Sequence, residues 1–416
     1  MTAAWSAALA DRLTPGPLAL EWALLLALAA LAGHLVQRAT GLPKIVGYAA
    51  VGAVAGALGL ADTAWPLGGI GLFLLDMGLA VVLFEAGARL SLSWLRHNPM
   101  VLAQSAIESL LTFAAVYYSL RALGLDLSVV RALALIAVAT SPAVLTRAML
   151  DLRASGPAAD RALALATLNT LYALTIGTAM LRSIDRGDGT LLASVASSAL
   201  VLGISLLCGA ALAGVLTAAL RALRPSSEDT AIVVLALLAA CAGVTAPLGG
   251  SAPLAALLAG LLVKQWHLRP WVWPRQLDTA ASMLNILMFV LVASTAARSG
   301  WSGGASALWA AAALVAARLA AKTAGILATG IGAAMAPKKS FWVGVAMLPM
   351  SSVALLLTSQ FVAASHAVGA QVAAIALPMI LVTELLGAGL AMLALYRTGE
   401  VARPWRGPRA GGGPTP

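Results

Sequence analysis

Residues 132–150 read ALALIAVATSPAVLTRAML, and residues 341–357 read FWVGVAMLPMSSVALLL. Both stretches are apolar enough to lie in a bilayer, yet each carries a proline beside hydroxyl residues at mid-span. The first has Thr140-Ser141-Pro142; the second has Pro349-Met350-Ser351-Ser352. Proline removes a backbone hydrogen bond and clashes with the preceding turn. In hydrocarbon the freed carbonyls need partners within the protein, and Ser or Thr supplies them. One such proline on its own reads as an ordinary kink. Two at matching positions of an inverted repeat read as crossed broken helices whose ends converge on a midplane site.

The surrounding sequence supplies that repeat. Of the 416 residues, 61% are hydrophobic and 10% charged, and the mean hydropathy is +0.93. A soluble domain carries roughly 25% charge, so this chain has lipid as its solvent. The apolar runs are long and continuous, which favours helices over a barrel. Splitting the chain at charges and at Pro/Gly turns predicts an all-α polytopic membrane protein with about thirteen transmembrane helices. The expected organisation is a short outer tail over 1–17, a six-helix repeat over 18–182 and a linker helix over 190–220. A second, inverted six-helix repeat follows over 230–396, then a disordered cytoplasmic tail over 397–416. The broken helices, expected over 128–149 and 340–363, are the fifth of each repeat.

The net charge is +10. The positive-inside rule accounts for it without nucleic acid, which is not an expected partner. With the N-terminus outside, the cytoplasmic loops hold eighteen Lys and Arg residues, the outer loops six, and one helix two, Arg318 and Lys322. That bias predicts an outer N-terminus and a cytoplasmic C-terminus. Residues 1–17 contain Asp11, Arg12, Pro15 and Pro17 and lack a cleavable signal pattern. Cys208 and Cys241 sit in apolar stretches without metal-ligand spacing, so they read as packing residues. No metal or cofactor is expected, nor is an enzyme: the chain shows no paired carboxylates, nucleophile–base set or GxGxxG motif.

Ionisable residues at membrane depth are functional hypotheses by default. They are Asp76, Glu85, Glu108, Arg318, Lys322 and Glu384, with His34 and Asn169 as neutral polar company. Arg318 and Lys322, four apart, share a helix face. Each acid also has a structural reading, as an ion pair that locks helix packing.

Several stretches resemble the monovalent cation/proton antiporter superfamily across nearly the whole chain. GLPKIVGYAAVGAVAGALGL at 41–60 and LLDMGLAVVLFEAGARLSLSWLRHNP at 74–99 are similar to successive helices of its potassium-efflux branch. Phe84-Glu85 resembles a Phe-Glu pair near the ion site in the sodium/proton exchanger branch. RALALATLNTLYALTIG at 161–177 is similar to the ion-carrying helix, and RLAAKTAGILATG at 318–330 to the helix bearing the core basic residue. The resemblance implies a homodimer that rocks a core bundle against a scaffold. The departures are specific. Asn169-Thr170 stands where the family has Asn-Asp, Asp-Asp or Gln-Asp, and Thr140-Ser141 where an Asp often follows the Thr. An exchanger needs one group that takes a proton or a cation in turn, which a carboxylate does and threonine does not.

The leading expectation is therefore exchange of Na+ or K+ for protons, with Glu85 or Glu108 replacing the missing aspartate. Thr140, Ser141, Asn169 and Thr170 would add neutral oxygens, and Lys322 or Arg318 would compete with the cation. Two alternatives stand beside it: transport of an anion or another solute without such exchange, and a non-transporting membrane protein of the same fold. The Ala-rich composition points to a bacterial inner membrane.

Overall fold

A computed structural model describes residues 16–60, 69–186, 191–222, 227–266, 275–299, 304–330, 332–333, 335–350 and 352–401. Its regular elements are helices: α1 Gly16–Thr40, α2 Lys44–Ala57, α3 Gly69–Arg89, α4 Leu92–His97, α5 Pro99–Ala122, α6 Leu127–Val138, α7 Pro142–Leu152 and α8 Pro157–Arg186. There follow α9 Leu191–Ala222, α10 Glu228–Leu248, α11 Ala252–Trp266, α12 Arg275–Ser299, α13 Gly304–Gly330, α14 Pro337–Ala346, α15 Ser352–Ala364 and α16 His366–Arg397. Among the described residues, the β pairing is a single isolated bridge between Ala154 and Val401.

Ten spans are long and apolar enough to cross a membrane, with α6 and α7 forming one apolar stretch over Leu127–Leu152. Three apolar helices are shorter: α2, α11 and α15. The 14 residues of α2 rise about 21 Å, less than the ~30 Å hydrocarbon core. Such short pieces survive at membrane depth where protein surrounds them, and every residue of α11 from Ala252 to Gly260 is buried. The outward faces are the reverse. Leu20, Leu24, Leu28, Leu31 and Leu35 of α1 are all more than half exposed. This is a multi-pass membrane protein.

Both sequence breaks are breaks in the structure. The helix expected over 128–149 divides into α6 and α7, and the one expected over 340–363 into α14 and α15. Pro142 opens α7 at its first turn, where its missing N–H costs nothing. Ser141 precedes it as N-cap, its Oγ accepting from Val144 N at 3.3 Å.

Small residues let the helices meet closely without a hydrophobic driving force between them. The leading pairs are α3 with α11, α2 with α12, and α5 with α13. A Cβ on Gly260 would collide with the Phe84 carbonyl, so α3 and α11 touch along their backbones. A Cβ on Gly325 would lie 2.9 Å from Cα of Glu108. That contact brings α13, with Arg318 and Lys322, against the acid-bearing face of α5.

At the end of α16 the chain is pinned. Glu400 Oε2 accepts from Ala158 N at 2.8 Å and Ala159 N at 3.1 Å, capping α8, while Oε1 takes Lys339 Nζ at 2.8 Å. The tail expected from 397 onward thus begins with placed residues; 402–416, like 1–15, lie outside the described residues.

Candidate functional site

In an unbroken helix Ser141, Pro142 and Ala143 would face the carbonyls of Ala137, Val138 and Ala139. The break orphans those carbonyls, and α13 satisfies them. Arg318 Nε donates to Ala137 O at 2.8 Å, and Nη2 to Ala139 O at 2.7 Å. Lys322 Nζ donates to Val138 O at 3.2 Å. Arg318 also reaches the other break: Nη2 donates to Met347 O at 3.2 Å and Nη1 to Leu348 O. The breaks are joined directly, since Ser141 N donates to Pro349 O at 3.0 Å. One guanidinium therefore ties together the C-terminal ends of α6 and α14, where helix dipoles leave about half a negative charge each.

Beside this crossing lies a buried polar cluster. Glu108 on α5 receives Lys322 Nζ on Oε1 at 2.5 Å and Asn169 Nδ2 on Oε2 at 2.8 Å. Thr112 Oγ1 also donates to Oε1, at 3.2 Å. Ser105 and Ser109 donate to Asn169 Oδ1 at 3.3 and 2.9 Å, which fixes the amide so that its NH2 faces the carboxylate. Asn169 Nδ2 lies 3.4 Å from Thr140 Oγ1, and Thr170 Oγ1 donates to Thr140 O at 2.7 Å. Glu108, Lys322, Arg318, Asn169, Thr140 and Thr170 are all fully buried. A buried ion carries a desolvation cost of several kcal/mol, tolerable when partnered as it is here.

The structure thus brings together Glu108, Thr140, Ser141, Asn169, Thr170, Arg318, Lys322, Pro142 and Pro349. Ser352 begins α15 and is buried; Ser351 lies outside the described residues. Glu85 stands elsewhere, paired with Arg89 one turn on along α3 at 2.8 Å, with Arg89 a third exposed. Ser105, Ser109 and Thr112 were not singled out from the sequence. Their signal is periodicity: Gln104, Ser105, Glu108, Ser109 and Thr112 recur at helical spacing on the buried face of α5. Among the described residues no group of three His, Cys, Asp or Glu side chains is placed to hold a metal.

The chemistry available is narrow. One carboxylate, paired with one ammonium, sits among neutral oxygens at the crossing of two broken helices. The model of the "Sodium/hydrogen exchanger, transmembrane" family matches residues 23–395. A structure of the sodium proton antiporter MjNhaP1 from Methanocaldococcus jannaschii at pH 8 is similar to this chain with a TM-score of 0.70 and 16% identity. It covers 90% of this chain and 97% of that one. An electron-microscopy structure of the same antiporter gives a TM-score of 0.59 at 17% identity, covering 96% of each chain. No curated protein sequence matches the chain.

Proposed function

The chain belongs to the sodium/hydrogen exchanger family, and from that premise we propose that it exchanges a monovalent cation, Na+ or K+, for protons, with Glu108 as the acid. The observation that carries this reading is the placement of Glu108: buried, bonded to Asn169 and Lys322, beside the joined breaks. A carboxylate there takes a cation when Lys322 leaves and Lys322 when the cation leaves. The family aspartate missing at Thr170 is replaced by an acid on the facing helix, which meets the same asparagine. Glu85, paired with Arg89 on its own helix, is not assigned this role.

The alternative of an anion substrate is disfavoured by the same contacts. Both basic side chains are already engaged, Arg318 by helix-end carbonyls and Lys322 by Glu108. Neither is left to attract an anion.

The pairing of α2 with α12 and of α3 with α11, around α5 with α13, supports an inverted repeat of 18–182 onto 230–396. The charge bias supports an outer N-terminus and a cytoplasmic C-terminus, and the Ala-rich composition supports a bacterial inner membrane. A homodimer is inferred from the family alone.

The test is a pH-jump assay in proteoliposomes with sodium, potassium and lithium. Wild type should move protons only when one of these cations is present, and Glu108→Gln should not. Cation-independent wild-type traces would refute exchange. Full flux in Glu108→Gln would move the acid elsewhere, with Glu85→Gln as the next variant.

A further inference from the structure

Glu384 lies near the middle of α16 and is not used by the site above. Its side chain is buried, and neither carboxyl oxygen has a hydrogen-bond partner among the described residues. The neighbouring Thr383 gives it nothing, donating instead to Met379 O at 2.9 Å. The helices packed on α16 carry charged groups that are engaged elsewhere. Arg318 and Lys322 of α13 serve the crossing, and Lys339 of α14 serves Glu400. Those helices also carry Lys44 and Tyr48 of α2, Arg131 of α6, Arg147 and Asp151 of α7, Arg298 of α12 and Lys338 of α14, and neither Glu384 oxygen takes a hydrogen bond from them.

A carboxylate so placed is costly to keep ionised. A neutral acid with both oxygens unpaired still costs about 1–3 kcal/mol. A structural lock would need a partner, and among the described residues neither oxygen has a hydrogen-bond partner. Leu or Met would fill the space better. A second conformation would offset this cost, and the packing points to an element that could create one. Gly387, three residues along the same face of α16, rests on Pro349, where an added Cβ would lie 3.0 Å from Pro349 Cα. The α14–α15 break therefore touches α16 within one turn of Glu384.

We propose that Glu384 is a second proton-carrying group of the exchanger, protonated in this conformation and ionised in another reached when the α14–α15 break moves. This rests on the exchange reading above. In the step itself the carboxyl O–H bond breaks with its electron pair staying on oxygen, and the proton passes to water; the return reverses it.

The test uses the full-length protein in liposomes and infrared difference spectra taken across pH and sodium titrations. Wild type should show a protonated-carboxyl C=O band that is lost as pH rises. One component of the band should be lost in Glu384→Gln, displaced in Glu384→Asp and kept in Glu108→Gln. In the pH-jump assay, Glu384→Gln should retain cation-dependent flux with its pH profile shifted. A pH-driven band unchanged in Glu384→Gln overturns the proposal, as does a variant profile that superimposes on wild type. If wild type carries no flux, the exchange reading falls, and the pH-driven band alone decides whether Glu384 gains and loses a proton.

Discussion

Replacing Lys322 by Met tests the charge logic of the crossing without a large change in packing, because an unbranched side chain of similar length fills the same gap. Two contacts go: the 2.5 Å bond to Glu108 Oε1 and the 3.2 Å bond to Val138 O. Glu108 keeps Asn169 Nδ2 and Thr112 Oγ1, but its counter-charge is gone. Stranding one member of a buried pair costs about 3–5 kcal/mol, and the orphaned Val138 carbonyl adds about 1 kcal/mol. Glu108 escapes part of this by taking a proton. The folded variant then holds more protons than the unfolded chain, so its stability falls as pH rises, by about 1.4 kcal/mol per unit. Lys322→Met with Glu108→Gln removes both charges and should recover all but the carbonyl term. The assay is thermal unfolding in detergent micelles at pH 6 and pH 8 without sodium. A Lys322→Met deficit that does not grow between those pH values would contradict the Glu108–Lys322 charge balance, as would a double variant no more stable than the single one.

Arg318→Lys should fail to reach both breaks, since one ammonium cannot span carbonyls of α6 and α14 that a guanidinium bridges. Charge-assisted bonds contribute about 1.5–3 kcal/mol each, so cation-dependent flux should be lost and the unfolding temperature lowered; wild-type flux would contradict the bridging role. Thr170→Asp, ionised, sets an acceptor against Thr140 O, where Thr170 now donates at 2.7 Å. A cation between the two oxygens relieves that, so sodium at a hundred times its dissociation constant should stabilise the variant by about 2.7 kcal/mol, read as a sodium-dependent melting shift larger than in wild type. Glu400→Gln should weaken the cap on α8 by about 1 kcal/mol, seen as faster hydrogen exchange at Ala158 and Ala159; unchanged protection would leave the clasp without energetic weight.

The membrane class and the two breaks were legible because hydrocarbon leaves few ways to satisfy a backbone. A proline beside hydroxyls in a long apolar run has little other meaning once it occurs twice in register. Arg318 and Lys322 were legible as a pair for the same reason, being too polar for their depth. What the sequence did not disclose was which acid meets them. Glu85 and Glu108 have similar local settings, and the choice between them depends on helix rotation. On α5 that rotation is marked by Ser105, Ser109 and Thr112, whose hydroxyls share the face of Glu108. Such a stripe is weak in sequence because small hydroxyls are common in membrane helices. The aid Gly325 gives by allowing α13 close to Glu108 depends on a contact 217 positions away along the chain, which no local pattern records.

The arrangement at the crossing also bears on why cation entry should require proton exit. The C-termini of α6 and α14 together present about one negative charge, and Arg318 supplies one positive charge to the same carbonyls. Glu108 and Lys322 balance each other. The N-termini of α7 and α15, which begin at the same breaks, add about one positive charge, so the site as it stands has no negative charge to spare. A monovalent cation added to it would leave one uncompensated charge in a low-dielectric interior, a cost of several kcal/mol. Displacing Lys322 as an ammonium only moves that charge a few ångströms, while releasing its proton removes it. On this reasoning coupling does not require the aspartate that Thr170 replaces. It requires an acid to receive the cation and a neighbouring base that can yield one proton for each cation, the roles proposed for Glu108 and Lys322.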